Sequence, residues 1–204
     1  MTTEFLLGMF LLASTLVWTP GPNNTLLANS GARHGLVRTL PHSMGVNIGF
    51  AFMVFTICLG LGSVFVQFPL LREVLRWVGA AILLWLSWKI GTSKFEPPHE
   101  VKTSRPWGFF QAAAFQWVNP KAWIMAISFA GQLPDQEPFW YPPLIISLVI
   151  LAAGMLSSHG WVLFGVGIQR FLSTPLRFRI FSLVMAGLLV LTVIGLLLAD
   201  LSVH

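Results

Sequence analysis

Two short runs carry the residue types that could seat a charged solute: Thr19-Pro20-Gly21-Pro22-Asn23-Asn24 and Asn119-Pro120-Lys121, separated by close to half of the 204-residue chain. Two prolines around a glycine remove backbone donors and cannot continue a helix, so the chain must leave helical geometry in the first run. Where a helix restarts, its first N–H groups and the positive end of its dipole form a ready seat for a carboxylate. The candidate binding residues are therefore Pro20, Gly21, Pro22, Asn23 and Asn24 from one run, with Asn119 and Lys121 from the other. The asparagines supply amide donors and acceptors, and Lys121 a positive charge. Proline kinks satisfied by neighbouring helices are the plain alternative, and for Asn119-Pro120 alone the two readings stay open.

Composition decides which elements position these runs. Hydrophobic types make up 55% of the chain and charged types 9%, with 9 Trp and 17 Phe and a mean hydropathy of +0.77. So little charge cannot coat a water-soluble globule, and the reading is an all-α integral membrane protein, one transmembrane domain over residues 1–204. The net charge of +5 does not point to nucleic acid, because the basic residues are scattered among short connections. Lone Cys58 excludes an internal disulfide or a CxxC site. No base precedes the first apolar run, which begins after Glu4, so the first helix is expected to be retained.

Charge-free windows cover 5–32, 39–71, 77–88, 106–120, 122–134, 138–169 and 180–199. The third is extended to about 71–93 by snorkelling of its flanking charges. The fourth and fifth, parted only by Lys121, join into one span with a charge in its middle. Six spans result, with spans one and four broken near the membrane midplane. Nine of the 12 basic residues fall in alternate connections: Arg33 and Arg38, then Lys89, Lys94, Lys102 and Arg105, then Arg170, Arg177 and Arg179. By the positive-inside rule those connections face the cytoplasm and both termini are external. Three spans per half, about 1–97 and 104–204, make any internal repeat inverted, and paired interruptions in two halves point to a transporter's central site.

No Asp or Glu falls within the predicted core of any span, so a proton carrier would be Lys121, His159, His42 or the cargo itself. A histidine on an apolar helix is more often a packing residue. His34, His42, His99 and His204 lack the spacing and carboxylate company of a metal site, and neither a metal nor a cofactor is expected. Gly45 and Gly49, Gly60 and Gly62, and Gly165 and Gly167 are read as close-packing positions. Asn47, Gln116 and Ser128 could line a cavity or bond between helices.

These residues resemble a known family. Thr19-Pro20-Gly21-Pro22-Asn23-Asn24, followed by Gly31-Ala32-Arg33-His34-Gly35-Leu36, Arg38-Thr39, Gly45 and Gly49-Phe50, is similar to the N-terminal signature of LysE/RhtB amino-acid exporters. Trp77-Val78-Gly79-Ala80-Ala81, continuing through Leu84-Trp85 to Trp88-Lys89, resembles that family's third helix, and Gln116-Trp117-Val118-Asn119-Pro120-Lys121-Ala122 its central Asn-Pro-Lys motif. The resemblance covers essentially the whole chain. It implies a multi-pass carrier of the bacterial inner membrane that exports amino acids or close derivatives, driven by the proton gradient. The lack of core carboxylates favours a neutral zwitterion as cargo. A metal cation or inorganic anion on the same scaffold, or an intramembrane enzyme, are the competing readings. Membrane lipid and the amino acid are the expected partners. A homo-oligomer is possible, with no exclusive dimer face in the pattern.

Overall fold

The computed structural model describes residues 1–61, 67–95, 105–134 and 138–201, and among these it is helical with no strands. His99, Lys102, His204, Gly62 and the expected repeat boundaries at 97 and 104 lie outside the described residues. The helices are α1 (Thr3–Trp18), α2 (Pro22–Thr56), α3 (Pro69–Gly91), α4 (Phe109–Phe115), α5 (Pro120–Ala130), α6 (Tyr141–Gln169) and α7 (Pro175–Leu201). A wider helical turn, Ile57–Leu61, ends α2, and 3-10 turns follow α4 (Gln116–Val118) and α6 (Arg170–Leu172).

Local chemistry sets the starts. Thr2 Oγ1 accepts from Phe5 N at 3.3 Å and caps α1, with Glu4 in the first turn where the dipole favours an acid. Proline opens α2, α3 and α5, at positions where a missing N–H costs no bond.

Helix α2 is 35 residues long, about 52 Å if straight, which exceeds a hydrocarbon core of about 30 Å. It is not straight. Gly35 leaves helical geometry at φ 77°, a backbone region in which a Cβ is strained. The Ser30 and Thr39 hydroxyls stand 3.2 Å apart, whereas nine residues of straight helix would separate them by about 13 Å. The chain therefore doubles back at Gly35, and α2 has two arms, 22–34 and 36–56. Thr39 Oγ1 also donates to Gly35 O at 2.7 Å, tying the first turn of the second arm to the glycine.

Glycines set the helix pairs. A Cβ on Gly31 would collide with the Val162 carbonyl, and one on Gly165 with that of Ala28, so the first arm lies directly on α6. Gly45 and Gly49 bring the second arm against Phe109, Ala112 and Ala113 of α4. By contrast, a Cβ on Gly60 or Gly167 would meet nothing, so those two do not serve close packing as the sequence suggested.

Two larger apolar clusters tie the bundle. One joins α3 to α7 through Leu83, Leu86, Phe181, Met185 and Leu189. The other joins α1, the second arm, α5 and α6 through Ala13, Met53, Phe129, Ile146 and Ile150. The polarity of the whole is inverted relative to a soluble protein. Asn24, Thr25, Thr39, Ser43, Asn47, Gln116, Asn119, Ser157 and Ser158 are buried, while Leu7, Trp77, Trp85, Phe110, Leu148, Leu163 and Leu191 are exposed. Such an exterior suits hydrocarbon, not water. Among the described residues, four stretches can by length and composition each cross a bilayer: Pro22–Leu61, Glu73–Gly91, Tyr141–Gln169 and Pro175–Gly195, the first of which includes the Gly35 turn. Helix α1, at 16 residues, is a shorter apolar helix.

Candidate functional site

Both proline runs interrupt their helices, and each leaves carbonyls without an i+4 partner. At the first run the chain is extended at Thr19 and Gly21, between Trp18 and Pro22. Side chains take up the freed groups. Asn24 Nδ2 donates to Val17 O and to Thr19 O, both at 2.8 Å. Ser157 Oγ, from α6, donates to Val17 O at 2.8 Å, and Thr19 Oγ1 to Leu16 O at 2.6 Å. At the second run, Asn119 caps α5 by accepting from Lys121 N at 3.2 Å. The Val118 carbonyl is pressed so closely on Gly79 of α3 that a Cβ there would collide with it. Irregular backbone within an apolar bundle persists where protein buries it in this way.

The two interruptions meet. Lys121 Nζ donates to Thr19 O and to Thr19 Oγ1, both at 2.7 Å, across 102 residues of sequence. Asn23 Nδ2 donates to Gln116 Oε1 at 2.8 Å, and Gln116 Nε2 returns a bond to Asn23 Oδ1 at 3.3 Å. Gln116 is fully buried and also donates to Ala112 O at 2.8 Å. Two charge-assisted and two amide hydrogen bonds thus bridge the halves of the chain.

Beside this junction lies a cavity of about 50 Å³, walled by Gly21, Asn23, Asn24, Asn119 and Lys121 together with Asn47, Ser157 and Ser158. Its volume accommodates a few water molecules. No side chain caps the N-terminus of α2, which opens beside it, and among the described residues Lys121 is the only charged one in the lining. The cavity can therefore present an ammonium and helix-start N–H groups to an anion. Of the residues singled out from sequence, Gly21, Asn23, Asn24, Asn119 and Lys121 line it, while Pro20 and Pro22 flank it as backbone breakers.

His159 is not among the lining residues; its Nδ1 pairs with Met155 O at 2.7 Å, one turn back in α6. His42 is 2% exposed and lies 5.5 Å from the Trp107 ring, and neither of its ring nitrogens has a hydrogen-bond partner among the described residues. Ser128 is exposed and bonds to Ile124 O of its own helix, so it plays no part in the site. Asn47 and Gln116, ambiguous in sequence, both belong to it. Ser157 and Ser158 went unrecognised, and Thr19 was read only as a member of the first run, without a binding role; serines and threonines are too common in apolar helices to stand out without coordinates. Among the described residues, no group of three His, Cys, Asp or Glu could hold a metal ion.

Three segments that carry basic residues meet at one end of the bundle: the Gly35 turn with Arg33 and Arg38, the segment after α3 with Lys94, and the start of α7 with Arg177 and Arg179. The Arg33 guanidinium lies 6.0 Å from the centre of the Phe178 ring, and Phe178 packs on Phe95 at 5.8 Å.

Comparison with known proteins places these features in a family context. The family model described as LysE type translocator matches residues 14–201. A cysteine/O-acetylserine efflux protein of Klebsiella pneumoniae subsp. pneumoniae is 35% identical over 173 residues, covering 82% of this chain and 86% of the relative. A protein of the same description from Salmonella choleraesuis is 31% identical over 174 residues, covering 83% and 87%. One from Escherichia coli O1:K1 is 29% identical over 173 residues, again covering 83% and 87%. No solved structure matches.

Proposed function

Because the chain belongs to the LysE type translocator family, we propose that it is a secondary carrier exporting a small neutral amino acid or close derivative from the cytoplasm. The observation that carries this reading is the junction of two interrupted helices at Lys121 and Thr19, beside a cavity open to the uncapped start of α2. An α-carboxylate entering it would meet the Lys121 ammonium and the N–H groups of Asn23 and Asn24. Cysteine and O-acetylserine, named for the relatives, are the first cargoes to try: both are small, and both are zwitterions without a second positive charge.

Six crossings follow if α1 with the first arm of α2 makes one, the second arm another, and α4 with α5 a third. The packing supports a two-fold relation between halves. Helix α1 packs on α6 as α4 packs on the second arm, the second arm packs on α6, and α3 packs on α7. Alternating access is then a rocking of one triplet against the other about the cavity. The basic end of the bundle faces the cytoplasm and both termini lie outside, in the inner membrane of a bacterium. Proton coupling is assigned to Lys121, which lines the cavity, with His159 as the alternative carrier.

Cells with and without the protein are loaded with each amino acid in turn and the medium is sampled. Faster appearance of one or a few small neutral amino acids outside is expected. A flat result across all of them, with the protein confirmed in the membrane, overturns the reading.

A further inference from the structure

The cavity has a second wall, made by the second arm of α2 and by α6, and its hydrogen bonds are distributed in a telling way. Asn47 Nδ2 donates to Ser43 O and to Ser158 Oγ, both at 2.7 Å, which commits both amide hydrogens. Ser157 Oγ donates to Val17 O at 2.8 Å and Ser158 Oγ to Met155 O at 3.3 Å. Ser43, behind them, donates to Ser158 Oγ at 3.0 Å. Every side-chain hydrogen on this wall is therefore spent on protein, and what is left is lone pairs. These sit on the Ser157 hydroxyl oxygen and on Asn47 Oδ1, which lies over Gly154, where a Cβ would come within 2.6 Å of it. Asn47, Ser157 and Ser158 are 4%, 2% and 3% exposed, so their geometry is fixed by packing.

The junction wall is the reverse. Lys121 has three ammonium hydrogens, of which Thr19 takes two. The start of α2 adds backbone N–H groups with no side-chain cap. One wall offers surplus donors and positive charge beside the Asn24 amide oxygen, and the other surplus acceptors alone, without charge. A molecule complementary to both carries an anionic acceptor at one end and a cationic donor at the other.

We propose that Asn47 and Ser157 form the subsite for the cargo's ammonium group, with its carboxylate at Lys121. This rests on the export reading above and specifies it. Neutral acceptors hold one ammonium but offer no partner to a second positive charge, so the cargo is an α-amino acid with an uncharged side chain. A carboxylic acid lacking the amino group would leave the buried lone pairs without a donor, and should bind about tenfold or more weakly.

The test uses the full-length protein purified in detergent. Its thermal stabilisation is titrated with the exported amino acid, with the same molecule lacking its amino group, and with its carboxamide. The wild type should prefer the amino acid over both analogues by about tenfold or more. Asn47→Leu and Ser157→Ala should lose the preference over the des-amino acid and keep that over the amide; Lys121→Met should do the opposite. Asn47→Asp should newly accept a diamino acid, a gain that misfolding cannot mimic. If the wild type exports an amino acid but both wall variants keep full discrimination against the des-amino acid, the subsite is overturned while export stands. Discrimination lost only in Asn24→Leu would move the ammonium to the junction and also overturn it. A wild type that neither exports nor is stabilised by any amino acid removes the export reading and the subsite with it.

Discussion

Gly21 and Lys121 are packed so that a methyl group on Gly21 would lie 2.8 Å from Lys121 Cδ and 3.1 Å from its Nζ. The glycine is thus the groove in which the lysine stem lies, and its backbone is extended, a geometry open to any residue. Gly21→Ala should therefore displace a flexible side chain and not the backbone. Export should fall by about tenfold, the equivalent of losing roughly one well-placed charge-assisted hydrogen bond, with little change in Tm. Efflux rate and thermal unfolding of the same preparation check this; normal efflux would show that the position of the ammonium does not matter.

Lys121 contributes both a charge and a bridge to Thr19. Lys121→Met keeps the stem and removes both, so export should be abolished while membrane insertion is retained. Lys121→Arg keeps the charge but replaces a compact ammonium with a planar fork too large for this groove, and should restore only a small part of the rate. A well-expressed Lys121→Met protein with wild-type efflux would exclude the lysine from the mechanism.

The reciprocal pair of Asn23 and Gln116 predicts a coupling. Removing Asn23 strands the buried Gln116 amide and removing Gln116 the half-buried Asn23 amide, at up to about 1–3 kcal/mol, whereas replacing both by leucine strands neither. The double variant should be less destabilised than the sum of Asn23→Leu and Gln116→Leu, by about 1 kcal/mol or more, in a double-mutant cycle of unfolding. Additive losses would mean that the two amides do not depend on each other.

Glycines with similar sequence surroundings should differ sharply in tolerance. Gly31→Ala and Gly165→Ala force a Cβ into a backbone carbonyl of the neighbouring helix and should lower Tm markedly, by the equivalent of about 1–3 kcal/mol. Gly167→Ala places a Cβ in open space and, by helix propensity, should be neutral or slightly stabilising. Thermal unfolding of the three variants in one detergent decides the matter.

Proline chemistry made the interruptions legible before any coordinates: α1 stops at Trp18 and α2 restarts at Pro22, and α5 restarts at Pro120. Lys121 stood out because an ammonium inside an apolar stretch needs a reason. The Gly35 turn was not separable from other glycines in sequence, since its role lies in a positive φ and in the Ser30–Thr39 approach. The partners of Lys121 and Gln116 were equally hidden. Each bond spans more than 90 residues, and no periodicity in one segment encodes the position of another. Asn47, Ser157 and Ser158 became part of a site only once two helices brought them to one wall.

With Leu148, Leu163 and Leu191 turned outward and Asn24, Asn47 and Gln116 turned inward, plain buffer is a denaturing medium for this molecule. Its folding equilibrium exists only relative to an amphiphile, so a melting curve reports the micelle as well as the chain. Substitutions on the outer face should rank differently from one detergent to the next, and those at the junction should keep their order.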